Sequence, residues 1–172
     1  MSDFISELSL TYLGWPELLL RVGLAMLFGL VLGIDRDRKN KPVDFRVYMI
    51  VAVTTCIVAI MGQELYADFA SADGVVSIDL AKIISGVLTG IGFLGAGAII
   101  HQDGNKVIGT ATGASIWAAG SIGLSLGFGF YVLGAVAFIS IGLILIGGGF
   151  VMKPLKDTKD KEDLKIPTAV DG

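Results

Sequence analysis

Apolar residues come along this chain in long unbroken runs rather than in the short alternations of a soluble fold. The first run, 18–34, is interrupted only by Arg21, and the runs 47–62, 83–100 and 107–152 contain no Asp, Glu, Lys or Arg. A helix needs roughly 20 such residues to cross about 30 Å of hydrocarbon. Runs 18–34 and 83–100 suit one crossing each, and 47–62 is short for one. The last run would reach about 69 Å as a helix at 1.5 Å per residue, enough for two crossings, with Gly127-Phe128-Gly129 as the turn between them. The pattern predicts an all-α membrane protein, a bundle of five transmembrane helices over 1–152. A charged, flexible tail is expected over 153–172, where Pro154, Pro167 and mixed charge leave nothing to bury.

Composition supports the same class. Of 172 residues, 53% are hydrophobic and 17% charged, against about 25% charged in a soluble domain, and the mean hydropathy is +0.76. A soluble core this apolar would lack polar surface to cover it. The 24 glycines also suit membrane helices, which tolerate Gly better than soluble ones do. Cys56 is the sole cysteine, so neither an intrachain disulfide nor a thiolate metal cluster is available. The acidic start of the chain lacks the basic region and cleavage site of a signal peptide, so the first helix is expected to persist.

Charge sorting gives an orientation. Arg36, Arg38, Lys39, Lys41 and Arg46 follow the first span, Lys106 follows the third, and five lysines occupy the tail. The other side carries Lys82 against Asp3, Glu7, Glu17, Glu64, Asp68, Asp73 and Asp79. Lys and Arg collect on the cytoplasmic side, which predicts an outside N-terminus and a cytoplasmic C-terminus. Tyr12, Trp15 and Tyr66 fall at an outer aromatic belt, and Trp117, deep in the fourth span, is expected to pack between helices.

Gly90-Ile91-Gly92-Phe93-Leu94-Gly95 matches a dinucleotide fingerprint, yet it lies inside an apolar span without the strand or the later acid that such a site needs. The match is spurious. Small residues instead let membrane helices approach closely. Gly86 and Gly90, then Gly92, Gly95 and Gly97, together with Gly109, Gly113, Gly120 and Gly123, are packing candidates, joined by Thr112 and Trp117. The sharper alternative is that the third span unwinds around Gly90–Gly97, so that its carbonyls and Thr89 line a polar path. Arg21 is the one charge within a span. It is either a functional intramembrane charge or a side chain snorkelling outward with Glu17, four residues earlier, as partner. Asp35, Arg36, Asp37, Arg38 and Arg46 form an inner-face charge group that reads equally as a lipid anchor or an ion-paired cluster. Hydroxyls such as Thr54, Thr55, Ser85 and Ser115 are expected to bond within the bundle. Glu64, Asp68, Asp73 and Asp79 read as a solvated acidic surface rather than a metal loop, and His101 as interfacial. No nucleophile–base pair or metal-ligand set is found, so no enzyme and no resident cofactor are expected. Nucleic acid is not an expected partner.

Several segments in order carry a family likeness: Gly33-Ile34-Asp35-Arg36-Asp37-Arg38, then Lys41-Pro42 and Phe45-Arg46. They continue with Ile84-Ser85-Gly86, Ile91-Gly92-Phe93-Leu94-Gly95-Ala96-Gly97, Gly109 with Ala111-Thr112, and Ile116-Trp117-Ala118-Ala119. The chain resembles the MgtC/SapB family of bacterial inner-membrane proteins over about residues 17–150. The resemblance implies a multi-pass inner-membrane protein linked to growth at low Mg²⁺, to stress survival and to restraint of the F-type ATP synthase. Asp35-Arg36-Asp37 stands where the family usually has Glu-Arg-Glu. Arg46-Val47-Tyr48 replaces its usual Arg-Thr-His, removing a titratable group. The preferred expectation is a non-enzymatic protein that acts through contacts in the lipid bilayer, with itself as a homodimer or with another membrane complex. The rival is a small transporter or channel for Mg²⁺, another cation or a small solute.

Overall fold

Five helices dominate the computed structural model, which describes residues 10, 12–38, 43–71, 78–102 and 106–163. They are α1 (Trp15–Asp37), α2 (Phe45–Ser71), α3 (Leu80–Gly97), α4 (Thr110–Gly127) and α5 (Tyr131–Asp163). α1, α2 and α3 are each long and apolar enough to cross a membrane. The described apolar stretch of α5, Tyr131–Gly147, is shorter. α4 is rich in Gly, Ala and Ser, which suits the middle of a bundle better than a lipid face.

Local chemistry sets the helix ends. Pro16 pre-forms the first turn of α1, where its missing N–H is harmless, and Glu17 beside it complements the positive end of the helix. The Asp79 carboxylate accepts from the Ala81 N–H at 3.0 Å and the Lys82 N–H at 3.4 Å, capping α3. Gly109 begins α4 and Gly129 turns the chain into α5, with φ of 89° and 80°. These are left-handed conformations that a side chain would strain.

The chain divides into two compact units, Met1–Phe138 and Ile139–Gly172. In the first, α4 is central: Ile116, Ala119, Ile122 and Leu126 are all buried, and α4 packs on α1, α2 and α3. The seams are made by glycine. A Cβ on Gly33 would lie 2.6 Å from the Phe45 carbonyl oxygen, and one on Gly29 would lie 2.8 Å from that of Tyr48, so α1 rests directly on the α2 main chain. Gly123 and Gly127 bring α4 equally close to the α2 main chain at Ala52 and Cys56. Gly95 and Gly113 join α3 to α4, each facing the other's carbonyl. Phe28 of α1 stacks on Phe138 of α5, with ring centres 4.3 Å apart. The second unit is the continuation of α5 through Asp163.

Four boundaries differ from expectation. α2 runs nine residues beyond the apolar run 47–62, because Gln63, Glu64, Leu65 and Ala67 are good helix formers that need not stop where lipid does. Gly127 is the last residue of α4 rather than part of the turn. α5 extends past Met152 to Asp163, with 164–172 outside the described residues. Between α3 and α4 the chain forms a two-stranded antiparallel hairpin, β1 (Ile100–Gln102) and β2 (Lys106–Ile108), pairing Ile100 with Ile108 and His101 with Val107. Three-residue strands leave too short an alternation to detect.

Candidate functional site

Two arginines on α1 point into the bundle at its two ends, about 22 Å apart along the helix at 1.5 Å per residue. Arg21 and Arg36 are each only 4% exposed.

At the first end, Arg21 is buried and is paired with Glu17 one turn earlier. Its guanidinium donates to the Glu17 carboxylate, to the Gln63 side-chain oxygen at 2.8 Å, to the main-chain carbonyl of Gly127 and to the Tyr131 hydroxyl at 3.3 Å. The Tyr131 hydroxyl also bonds to Glu17 at 3.2 Å. Glu17 is the partner that spacing pointed to. Gln63, Gly127 and Tyr131 lie far along the chain, and nothing in the local pattern marks them. The network links α1, α2, α4 and α5, and it places a cation where the α4 carbonyls run out of partners. Glu64, taken in sequence as surface acid, accepts the main-chain N–H groups of Tyr12 and Leu13 at 3.0 and 2.9 Å. Tyr12, Trp15 and Tyr66 are each about half exposed, as a belt would be.

At the opposite end the charged segment separates. Arg36 turns inward, donating to the Ser115 hydroxyl at 3.2 Å and the Ala111 carbonyl at 3.1 Å in the first turns of α4. Asp37 and Arg38 are exposed, and Arg46 stays at the surface near Asp44, 3.8 Å away. Asp35 is half-buried. Lys39 and Lys41 lie outside the described residues. Thr112 (1%), Ser115 (2%) and Tyr48 (0%) are buried at this end, and Tyr48 is within electrostatic reach of Arg36. The Tyr48 hydroxyl is the one buried side-chain polar atom among the described residues without a hydrogen-bond partner.

α3 is continuous, so the broken-helix picture is replaced by an ordinary helix. Ser85 and Thr89 are exposed, and the Thr89 hydroxyl donates to the Ser85 carbonyl at 2.8 Å. Of the glycines picked for packing, Gly95 meets α4, whereas a Cβ on Gly86, Gly90, Gly92 or Gly97 would meet nothing within 4 Å. Gly86, Gly90, Phe93 and Gly97 fall on one face by helical spacing, opposite the buried Ile91 and Gly95. Trp117 is 45% exposed, so it faces outward rather than packing between helices of this chain. The reason is that its neighbours Ile116 and Ala118 take the buried positions. Among the described residues, no group of three His, Cys, Asp or Glu side chains could share a metal ion.

Residues 22–153 match the MgtC family. The chain belongs to the MgtC family. Protein SapB of Bacillus subtilis is 33% identical over 155 residues, covering 88% of this chain and 65% of SapB. An uncharacterised protein of Haemophilus influenzae is 37% identical, covering 79% of this chain and 58% of its own length. The Escherichia coli K12 protein YhiD, named as a candidate magnesium transporter, is 31% identical over 75% of this chain and 59% of YhiD. The chain thus spans about three-fifths of the length of these relatives. No solved structure matches it. Family membership and the apolar helices make this a membrane protein.

Proposed function

We propose that this MgtC-family chain is a multi-pass protein of the bacterial inner membrane, serving magnesium homeostasis and stress adaptation by contacting other membrane proteins. The names of its relatives support the link to magnesium, YhiD as a candidate magnesium transporter and MgtC of Brucella abortus at 32% identity. The observation that carries the contact reading is the face of α3. The glycines Gly29, Gly33, Gly113, Gly123 and Gly127 all have a neighbouring helix backbone against them, whereas Gly86, Gly90 and Gly97 have none. Close-approach positions on a helix favour a second helix over lipid, because packing and Cα–H contacts replace loosely ordered chains. Phe93, 82% exposed on the same face, adds a bulky ridge beside that groove. A second copy of the chain is the first partner proposed, and the F-type ATP synthase, which the family likeness implies, is the second.

Transport is the rival function, with Gly90–Gly97 and Thr89 lining the path; a helical rather than unwound Gly90–Gly97 lends it less support. Purified protein reconstituted into vesicles decides between them. The expected result is no Mg²⁺ uptake above empty vesicles, together with a dimer in mild detergent that Gly90→Leu converts to monomer. Uptake that Gly92→Leu or Gly95→Leu abolishes in folded protein would overturn the contact reading. For the ATP synthase, the check is whether its membrane sector co-purifies with the tagged chain and is lost with Gly90→Leu.

A further inference from the structure

The geometry points to an oxyanion site of phosphate chemistry between α1, α2 and α4, formed by Arg36, Tyr48 and the first turn of α4. Three features lie at this end of the bundle. Arg36 is a buried cation whose acceptors are a hydroxyl and a carbonyl, both neutral. Among the described residues no carboxylate pairs with it. A buried guanidinium satisfied only by neutral groups keeps much of its desolvation penalty, and an anion would remove it. The second feature is the Tyr48 hydroxyl, fully buried within electrostatic reach of that guanidinium and without a hydrogen-bond partner among the described residues. Buried hydroxyls are nearly always bonded, so an orphan one marks a missing acceptor or donor. The third is the start of α4. Its N-cap is Gly109, which offers no side-chain oxygen, so the first N–H groups of an 18-residue helix are left without a side-chain cap. That end carries the positive pole of the helix and is a general anion site.

Cation, hydroxyl and helix pole all favour the same ligand charge. The planar guanidinium matches the oxygen spacing of phosphate. The route in lies along Ala111, which is exposed and whose bond to Arg36 is only part-buried. An oxyanion arriving there would take the place of the Ala111 carbonyl. The Arg36–Ser115 bonds, deeper in the seam, would hold the guanidinium in place.

Phosphate oxygens reach such a place from two sources, inorganic phosphate in solution or the headgroup of an anionic lipid. Thermal unfolding of the delipidated full chain, in uncharged detergent at constant ionic strength, is followed as inorganic phosphate replaces chloride. In a second arm the chain sits in nanodiscs of phosphatidylcholine with or without phosphatidylglycerol. A midpoint that rises by several degrees with phosphate, as ligand linkage requires, assigns a soluble anion. A rise with phosphatidylglycerol alone assigns a lipid headgroup. In either case the rise must vanish in Tyr48→Phe, which removes one oxygen and leaves the shape intact, and in Arg36→Gln. No rise in either arm would overturn the site. So would a rise that Tyr48→Phe leaves undiminished, or a Tyr48→Phe variant that is merely more stable under every condition, since neither needs an anion at Tyr48.

Discussion

The Arg21 guanidinium bonds to the main-chain carbonyl of Gly127, 106 positions away. This bond closes the carboxyl end of α4 with a charge from α1, and it is buried, unlike the Glu17 ion pair beside it. Arg21→Gln is therefore expected to destabilise the protein by about 2–3 kcal/mol, since it orphans a buried acceptor. Glu17 is 46% exposed, and Glu17→Gln should cost clearly less, because solvent screens exposed ion pairs. Thermal midpoints of both variants in detergent check this. Equal losses would show that the ion pair, not the carbonyl bond, is what matters.

Two glycine-to-alanine changes should behave oppositely. At Gly123 the new methyl meets the Ala52 carbonyl and the Thr55 hydroxyl, which itself bonds to the Gly120 carbonyl at 2.9 Å. Neither helix can yield without opening the α2–α4 seam, so a loss of about 1–3 kcal/mol or more is expected. At Gly86 the methyl meets nothing, and Gly86→Ala should leave the monomer's stability unchanged or raise it by up to about 1 kcal/mol through helix propensity. Unfolding in increasing denaturing detergent would show the contrast.

Hydropathy made the helices legible because lipid demands long apolar runs whatever their neighbours. It could not say which glycines meet a helix. Gly95 and Gly97 look alike in sequence, and only the position of Gly113 on a separate helix distinguishes them. The Arg21 network was half visible for the same reason: Glu17 is one turn away, but Gln63 and Tyr131 are set by the fold. Arg36 sat in a segment whose alternating charges suggested a surface cluster. Its direction depends on helical phase relative to α4, and Arg36 shares the inward stripe of Ala25, Gly29, Leu32 and Gly33. That stripe could have marked it.

Glu64 holds the segment before α1 through two main-chain N–H groups. Glu64→Ala should release that segment without unfolding the bundle. Hydrogen exchange at Tyr12 and Leu13 is expected to accelerate at least tenfold, while exchange in α4 stays as it was. Unchanged protection at Leu13 would mean that the carboxylate is dispensable.

The distribution of Lys and Arg predicts which side each end occupies. In a Cys56→Ser background, Arg38→Cys should react with an impermeant maleimide only when the cytoplasmic face is open to the reagent, and Ala81→Cys only from the outside. Native Cys56, fully buried, should stay unlabelled from either side in folded protein. Reversed labelling would invert the orientation.

Where Gly123 and Gly127 lie against α2, main chain touches main chain, and the only side chains at the contact are the short ones of Thr55 and Ala59. Assembling that junction freezes almost no rotatable bonds, whereas ordering a long side chain gives up as much as about 1.5–2 kcal/mol of conformational freedom. The large residues Val132, Leu133 and Val136 of the same unit are instead strongly exposed, free to keep changing rotamers among lipid tails. The molecule can thus be rigid at its centre and fluid at its rim, and its cohesion should depend little on the thickness or order of the surrounding bilayer.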